Sequence, residues 1–158
     1  MNTQTGTFIF TLLLAGSCSV AMAEDLVVVV NKANPVSDVS SAQLKKMVLG
    51  QQTSWTWGKK VSVLLRGPGQ AERDGVLRSV CGMSENEYNQ FTMHADLNGQ
   101  TLGEPKIVSS AAAVRQSVIG NPGAIGFLRP SELNDTVKPI SVDGISAGQP
   151  GYKIKSAN

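Results

Sequence analysis

From residue 26 onward the hydrophobic positions alternate between two rhythms, unbroken apolar runs and stripes spaced three or four apart. Residues 26–30 (LVVVV) form a β-branched run with no polar alternation. Such a run predicts a strand covered on both faces, and Asn34-Pro35 ends it. Residues 61–65 (VSVLL) predict a second strand, 124–128 (AIGFL) a short buried one and 137–140 another. The stripes fall between them. Ser40 is placed as a helix N-cap with Gln43 at the capping-box position, and Val39 and Leu44 are spaced for a hydrophobic staple. Leu44, Met47 and Val48 then share one face, Lys45 and Lys46 lie on the solvated side, and Gly50 closes the helix. A second helix opens after Gly67-Pro68-Gly69 and runs to about Val80, where Gly82 supplies a left-handed cap. Ser84 with Glu87 makes a capping box, and Met83 with Tyr88 a staple, for a third helix reaching about Asp96. After a Gly-containing loop over 98–105, Ile107-Val108 leads into a fourth helix from Ser109 or Ser110 to about Ile119. Its stripe is Ala111, Val114 and Val118, and Gly120-Asn121-Pro122-Gly123 stops it. Residues 144–158, rich in Gly, Ser, Pro and Lys, read as a loosely ordered tail. Strands and helices in alternation predict an α/β layer structure, a mixed sheet flanked by helices.

The first 23 residues follow neither rhythm. Residues 8–15 (FIFTLLLA) are an apolar core too short for a permanent membrane helix, followed by small residues and Ala21-Met22-Ala23, an A-x-A cleavage signal before Glu24. This reads as a signal peptide over 1–23 and predicts export to the periplasm, with one domain over 24–158 and no membrane span in the mature form. The leader is atypical in carrying no Lys or Arg. Cys18 offers an alternative, a lipoprotein cut leaving a lipidated cysteine, although Ala15-Gly16-Ser17 places Ala where such sites usually carry Leu.

Composition then narrows the function. The 158 residues carry 14 Lys+Arg against 12 Asp+Glu, a formal net charge of +2, with 41% hydrophobic and 5% aromatic residues. Near-neutral charge and scarce aromatics argue against a nucleic-acid surface or an anionic-membrane patch. After the leader only Cys81 remains, so no internal disulfide forms, and a lone thiol is either buried or free to pair between molecules. With one histidine, His94, and no cysteine cluster, no standard metal-ligand pattern is present and no cofactor is expected.

No nucleophile elbow, zinc-protease helix or phosphate-binding Walker loop occurs, and enzymatic activity is not expected. A Cys81–His94 dyad is conceivable, but Cys81 sits among Leu77, Val80 and Met83, where burial keeps a thiol protonated. The segment 61–73 is more informative. A buried strand ends in Arg66, the glycine loop Gly67-Pro68-Gly69 follows, and a helix begins. Helix-start N–H groups and a guanidinium together suit a tetrahedral oxyanion. The competing reading is an ordinary strand-to-helix turn with Arg66 paired to Glu72, with Glu72 and Asp74 offsetting the helix dipole and Asp74–Arg78 paired at i,i+4. Trp55 and Trp57 alternate, so one belongs to the core and the other to a rim. The glycines of 120–126 serve a helix stop and a tight strand entry, with close approach to a ligand as the alternative.

Four segments in order resemble the periplasmic phosphate-binding proteins of ABC transporters: VVVVNKANPVSDVSSAQLKKMVLGQQTSW, VSVLLRGPGQAER, NPGAIGFL and VKPISVDGISAGQPGYKI. The resemblance spans about residues 26–154. It implies a single lobe of the type 2 periplasmic-binding-protein-like fold, without the glycine/threonine-rich anion loop of the second lobe. It carries phosphate, or a related oxyanion, to Arg66, Gly67, Gly69, Gln70 and Ala71. Where the family has Ser-Gly-Thr this chain has Gln70-Ala71-Glu72, which removes two hydroxyl donors and adds a carboxylate. A carboxylate about 4 Å from a bound anion costs on the order of 4 kcal/mol at intermediate dielectric. The resemblance thus leaves two functional classes: an exported solute-binding module, or an adaptor for an envelope protein or for a second copy of the chain.

Overall fold

A computed structural model describes residues 22–158. The apolar segment 8–15, Cys18 and nearly all of the expected leader lie outside the described residues. The strands are β1 (Val27–Val30), β2 (Asp38–Val39), β3 (Ser62–Arg66), β4 (Lys106–Val108), β5 (Ala124–Leu128) and β6 (Lys138–Val142). The helices are α1 (Ser41–Val48), α2 (Ala71–Val76), α3 (Glu85–Leu97) and α4 (Ala111–Gly120). A π-helical turn (Leu77–Cys81) extends α2, and a 3-10 turn (Pro130–Glu132) follows β5.

One mixed sheet has the order β2-β6-β1-β5-β3-β4. β3 runs parallel to both β4 and β5, while β1 is antiparallel to β5 and β6. All four residues of β1 are buried, as the polar-free run requires. The pleat sends Val28 and Val30 to one core and Val27 and Val29 to the other. The larger core packs α1, α2, the π turn and Tyr88 of α3 against Val63, Leu65, Ile125 and Phe127. The smaller core seats Val114 and Val118 of α4 against Leu64, Ala124 and Leu128. A Cβ on Gly126 would come 2.7 Å from Val114 Cγ1, so glycine lets α4 sit close to the sheet.

The local signals hold. Ser40, Ser84 and Ser110 cap α1, α3 and α4, and the Ser84–Glu87 capping box is reciprocal. Gly82 takes the left-handed conformation (φ 69°) at the end of the π turn. Four expectations change. The helix expected after Gly67-Pro68-Gly69 and running to about Val80 is α-helical only over Ala71–Val76, and Ser79 Oγ donates back to the Gly75 carbonyl within the widened turn. Ile107-Val108 is not a lead-in to a helix but part of an edge strand, paired to Leu65 and Arg66. Val39 belongs to a two-residue strand alongside β6.

The fourth change concerns residues 144–158. This segment, expected to be loose, lies against the domain with Tyr152, Ile154 and Ser156 buried. Tyr152 Oη donates to the Leu26 carbonyl (2.7 Å), and Leu26 N–H donates to the Ile154 carbonyl (2.9 Å). Two apolar side chains in a polar composition decide the outcome, because burying them outweighs the turn residues around them.

Candidate functional site

Because β3, β4 and β5 are parallel, their carboxyl ends open on one edge of the sheet. The chain leaves β3 through α2 and α3 on the larger-core face to reach β4 on one side. It then returns through α4 on the opposite face to β5 on the other side of β3. The strand connections therefore reverse direction between β3 and β5. Open α/β sheets leave a crevice at such a switch point, outside the carboxyl ends of the strands, and ligands bind there.

Arg66 is the last residue of β3 and stands at this position. Its side chain is half-buried, and its Nε is fully buried without a hydrogen-bond partner. Its carbonyl accepts from Arg73 Nη1 (3.3 Å). The loop beyond it is a tight turn in which Gln70 N–H donates to the Gly67 carbonyl (3.2 Å), so that N–H is spent internally. Gly69 has φ 82° and needs to be glycine. Gly67 does not, since the nearest atom to an added Cβ is Ile107 Cγ2 at 3.9 Å. Gln70 caps α2 without a side-chain bond, and Ala71 is partly exposed. The five residues singled out by the sequence are thus together at the rim, in a shallow turn. The larger grooves lie elsewhere: one of about 400 Å³ lined by Val27, Pro130, Leu133, Pro139 and Ala147, another of about 380 Å³ lined by Lys60, Ser62, Glu104 and Pro122.

Glu72 is not paired with Arg66. Its buried carboxylate accepts from Arg129 Nε at 2.9 Å, and Arg129 Nη1 also reaches Glu24 at 3.2 Å. Burial pushes the Glu72 carboxyl up, but four effects outweigh it and hold the carboxyl below the usual range. They are its own backbone N–H, the Arg129 hydrogen bond, and the charges of Arg129 and Arg66. Arg129 directly follows β5, so the two strands flanking the switch point each end in an arginine. Sequence reasoning missed Arg129, although a signal existed: two apolar strands both run out as Leu-Arg, at Leu65-Arg66 and Leu128-Arg129.

The remaining candidates settle into structural places. Asp74 and Arg78 form no ion pair within 4 Å. Arg73, by contrast, is buried and pairs with Glu85 through two bonds (2.7 and 3.0 Å). Cys81 is buried, and desolvation pushes its thiol up to about 11, while His94 is exposed. A thiol so raised carries almost no thiolate near neutral pH. Trp55 is a core residue whose Nε1 donates to the Gly123 carbonyl (2.9 Å), and half-buried Trp57 packs beside the same core. The Gly123 carbonyl also accepts from Ser62, and a Cβ at Gly123 would lie 2.0 Å from the Lys60 carbonyl oxygen. The 120–126 glycines are accordingly strand-entry geometry.

No known family model matches the sequence. Solved structures do match in fold. An ABC-type phosphate transport receptor from Vibrio cholerae superposes with a TM-score of 0.69 at 22% identity, over 85% of this chain and 54% of the receptor. A Clostridium perfringens protein described as a phosphate ABC transporter substrate-binding protein with bound phosphate gives 0.68 at 26% identity, over 85% and 53%. PstS from Borrelia burgdorferi gives 0.67 at 13%, over 85% and 55%. The chain spans about half the length of each of these proteins. Over that half, its sheet and helices have the fold of the substrate-binding proteins of phosphate ABC transporters.

Proposed function

We propose that the chain is an exported, periplasmic solute-binding-type module that takes an oxyanion at the end of β3, with phosphate the first candidate. The observation that carries this reading is Arg66, whose buried Nε lacks a partner at the point where the strand connections reverse. Gly67, Gly69, Gln70 and Ala71 shape the turn beside it, and the module acts by binding rather than by bond chemistry. Acting alone it binds weakly. Relative to a two-walled site it lacks about three charge-assisted hydrogen bonds, a loss of roughly 5–9 kcal/mol, which turns a micromolar site into a millimolar or weaker one. A second wall, from another copy of the chain or from an envelope protein, restores the affinity. Titration calorimetry of the ligand-free protein with inorganic phosphate tests the reading. Heat that saturates in wild type and disappears in Arg66→Ala is expected. Silence up to millimolar phosphate, with no rise in melting temperature for any oxyanion, overturns it.

A second reading, an envelope adaptor with no small ligand, is favoured by the Glu72 carboxylate already seated against Arg129. Recovery of one envelope protein in stoichiometric amount, alongside a silent titration, is its expected signature. Tight oxyanion binding with no recovered partner eliminates it.

A further inference from the structure

We propose that a cavity between α3 and the loop entering β4 binds a primary alkylammonium group, with Tyr88, Asp96 and Glu104 as its acceptors. The cavity has a volume of about 290 Å³, close to the lower limit for small-molecule sites. None of its lining residues belongs to the Arg66 turn, so the inference stands apart from the oxyanion reading. Tyr88, Thr92 and Asp96 are spaced four apart and form the α3 wall. Leu102, Glu104 and Pro105 form the facing wall, with Ile107 of β4 beside them. That wall is pinned from behind. Gly103 N–H donates to the Gly50 carbonyl (2.9 Å), and a Cβ on Gly50 would lie 2.2 Å from the Gly103 carbonyl oxygen. Arg73 also reaches the cavity, but Glu85 holds it through two bonds and matches its charge.

Tyr88 is the residue that calls for a ligand. It is only 6% exposed and lines the cavity, and its hydroxyl makes no hydrogen bond among the described residues. Buried hydroxyls ordinarily have partners, and the cavity is the side from which one can arrive. Burial pushes the phenol up against the pull of Arg73, and Glu85 and Glu104 push the same way as burial, so it stays protonated. Asp96 and Glu104 are exposed on opposite walls, and neither has an ion-pair partner within 4 Å among the described residues. A phenol oxygen and two carboxylates match the three N–H donors of a primary ammonium. Leu49, Leu102, Pro105 and Ile107 supply apolar surface for a short aliphatic chain. The carboxylates repel an anion, and a neutral alcohol gains nothing from their charge.

Amide chemical-shift titration with n-butylammonium chloride, against potassium chloride at equal ionic strength, tests this. Saturable shifts are expected around Leu49, Tyr88 and residues 102–107. Affinity is expected to fall at least threefold in Tyr88→Phe and at least tenfold in the double variant Asp96→Asn/Glu104→Gln. None of these three side chains gives up an observed ion pair or hydroxyl bond, so the variants keep the fold. Sodium butyrate, with the same chain length and the opposite charge, is expected to give no saturable shift. A free amine and a protein's lysine side chain share this chemistry, and Nα-acetyl-lysine amide separates them. Binding at least as tight as butylammonium assigns the cavity to a lysine side chain, and weaker binding assigns it to a free amine. Absence of saturation by butylammonium, equal affinity in the double variant, or an equal response to butyrate overturns the inference. Unchanged affinity in Tyr88→Phe removes the phenol from the site and overturns the three-acceptor assignment.

Discussion

Arg66 and Arg73 touch one another and are held in opposite ways. Arg73 is buried, binds Glu85 through both oxygens, donates to the Arg66 carbonyl, and lies with its guanidinium carbon 5.5 Å from the Tyr88 ring centroid. Every part of it is committed inside the domain. Arg66 has its backbone fixed by that neighbour while its own Nε has no partner. One arginine is a strut, and the other is left over at the crevice. Partner supply makes the difference. Arg73 projects from α2 toward the start of α3, where Glu85 waits, whereas Arg66 ends a strand with no ion-pair partner within 4 Å among the described residues.

The comparison is broken most directly by removing each side chain in turn. Arg73→Ala strands Glu85 and empties the space over Tyr88. A cost of about 3 kcal/mol is expected, at the low end for breaking a buried pair because Glu85 keeps some solvent access. Arg66→Ala, with no bond to lose, is expected to stay within about 0.5 kcal/mol of wild type. Urea unfolding of the two variants checks this. Equal losses would make Arg66 a second strut and remove the main support for a binding role.

The next effect concerns what keeps α2, the carrier of Glu72 and Arg73, in place. Gly75 lies under the C-terminal segment, and an added Cβ would approach the Lys155 carbonyl oxygen to 2.2 Å and Ser156 Cα to 2.5 Å. Backbone atoms cannot step aside as a side-chain tip does, so Gly75→Ala is expected to cost about 2 kcal/mol as an overpacking change. Trypsin then cuts at Lys153 or Lys155 faster than in wild type, because the segment lifts. Unchanged stability and cleavage would show that the segment contributes nothing to the end of the domain where the arginines meet.

These two regions also show which parts of the fold the sequence carries legibly. Ser40 and Ser84 were readable as caps because each bond closes within three residues of chain. The β1 run was readable because four valines leave no polar face to expose. The Arg66 turn was readable as a candidate because strand, glycines and helix are contiguous. The Glu72–Arg129 pair was not, since 57 residues separate its members and only the strand order brings them together. β2 was invisible for a related reason: two residues carry no period, and β6 alone makes them a strand. The C-terminal segment was misread because its composition describes its turns, while Tyr152 and Ile154 decide where it goes.

The smallest expected effect separates two glutamates that open successive helices. Glu72 and Glu87 both stay below the usual carboxylate range, one buried against arginine and the other exposed in a capping box with Ser84. A carboxyl whose folded value lies below its unfolded one adds stability that is complete above the unfolded value, ordinarily 4.5. That stability is lost as pH falls through the folded value. Both residues therefore contribute near neutral pH and weaken below about pH 4.5, but only Glu72 couples that loss to Arg129 and Arg66. Glu72→Gln is expected to be less stable than wild type at pH 7 and to converge with it toward pH 3, giving a flatter acid limb in urea midpoints. Salt and Glu87→Gln separate the causes. Added salt screens the exposed Glu87 contribution first, while the Glu72-dependent part of the acid limb persists because its charge is paired out of water. Parallel profiles for wild type and Glu72→Gln would mean that Arg129 gains as much from a neutral amide as from a carboxylate. The distinction between an ion pair at Arg129 and a simple polar contact would then disappear.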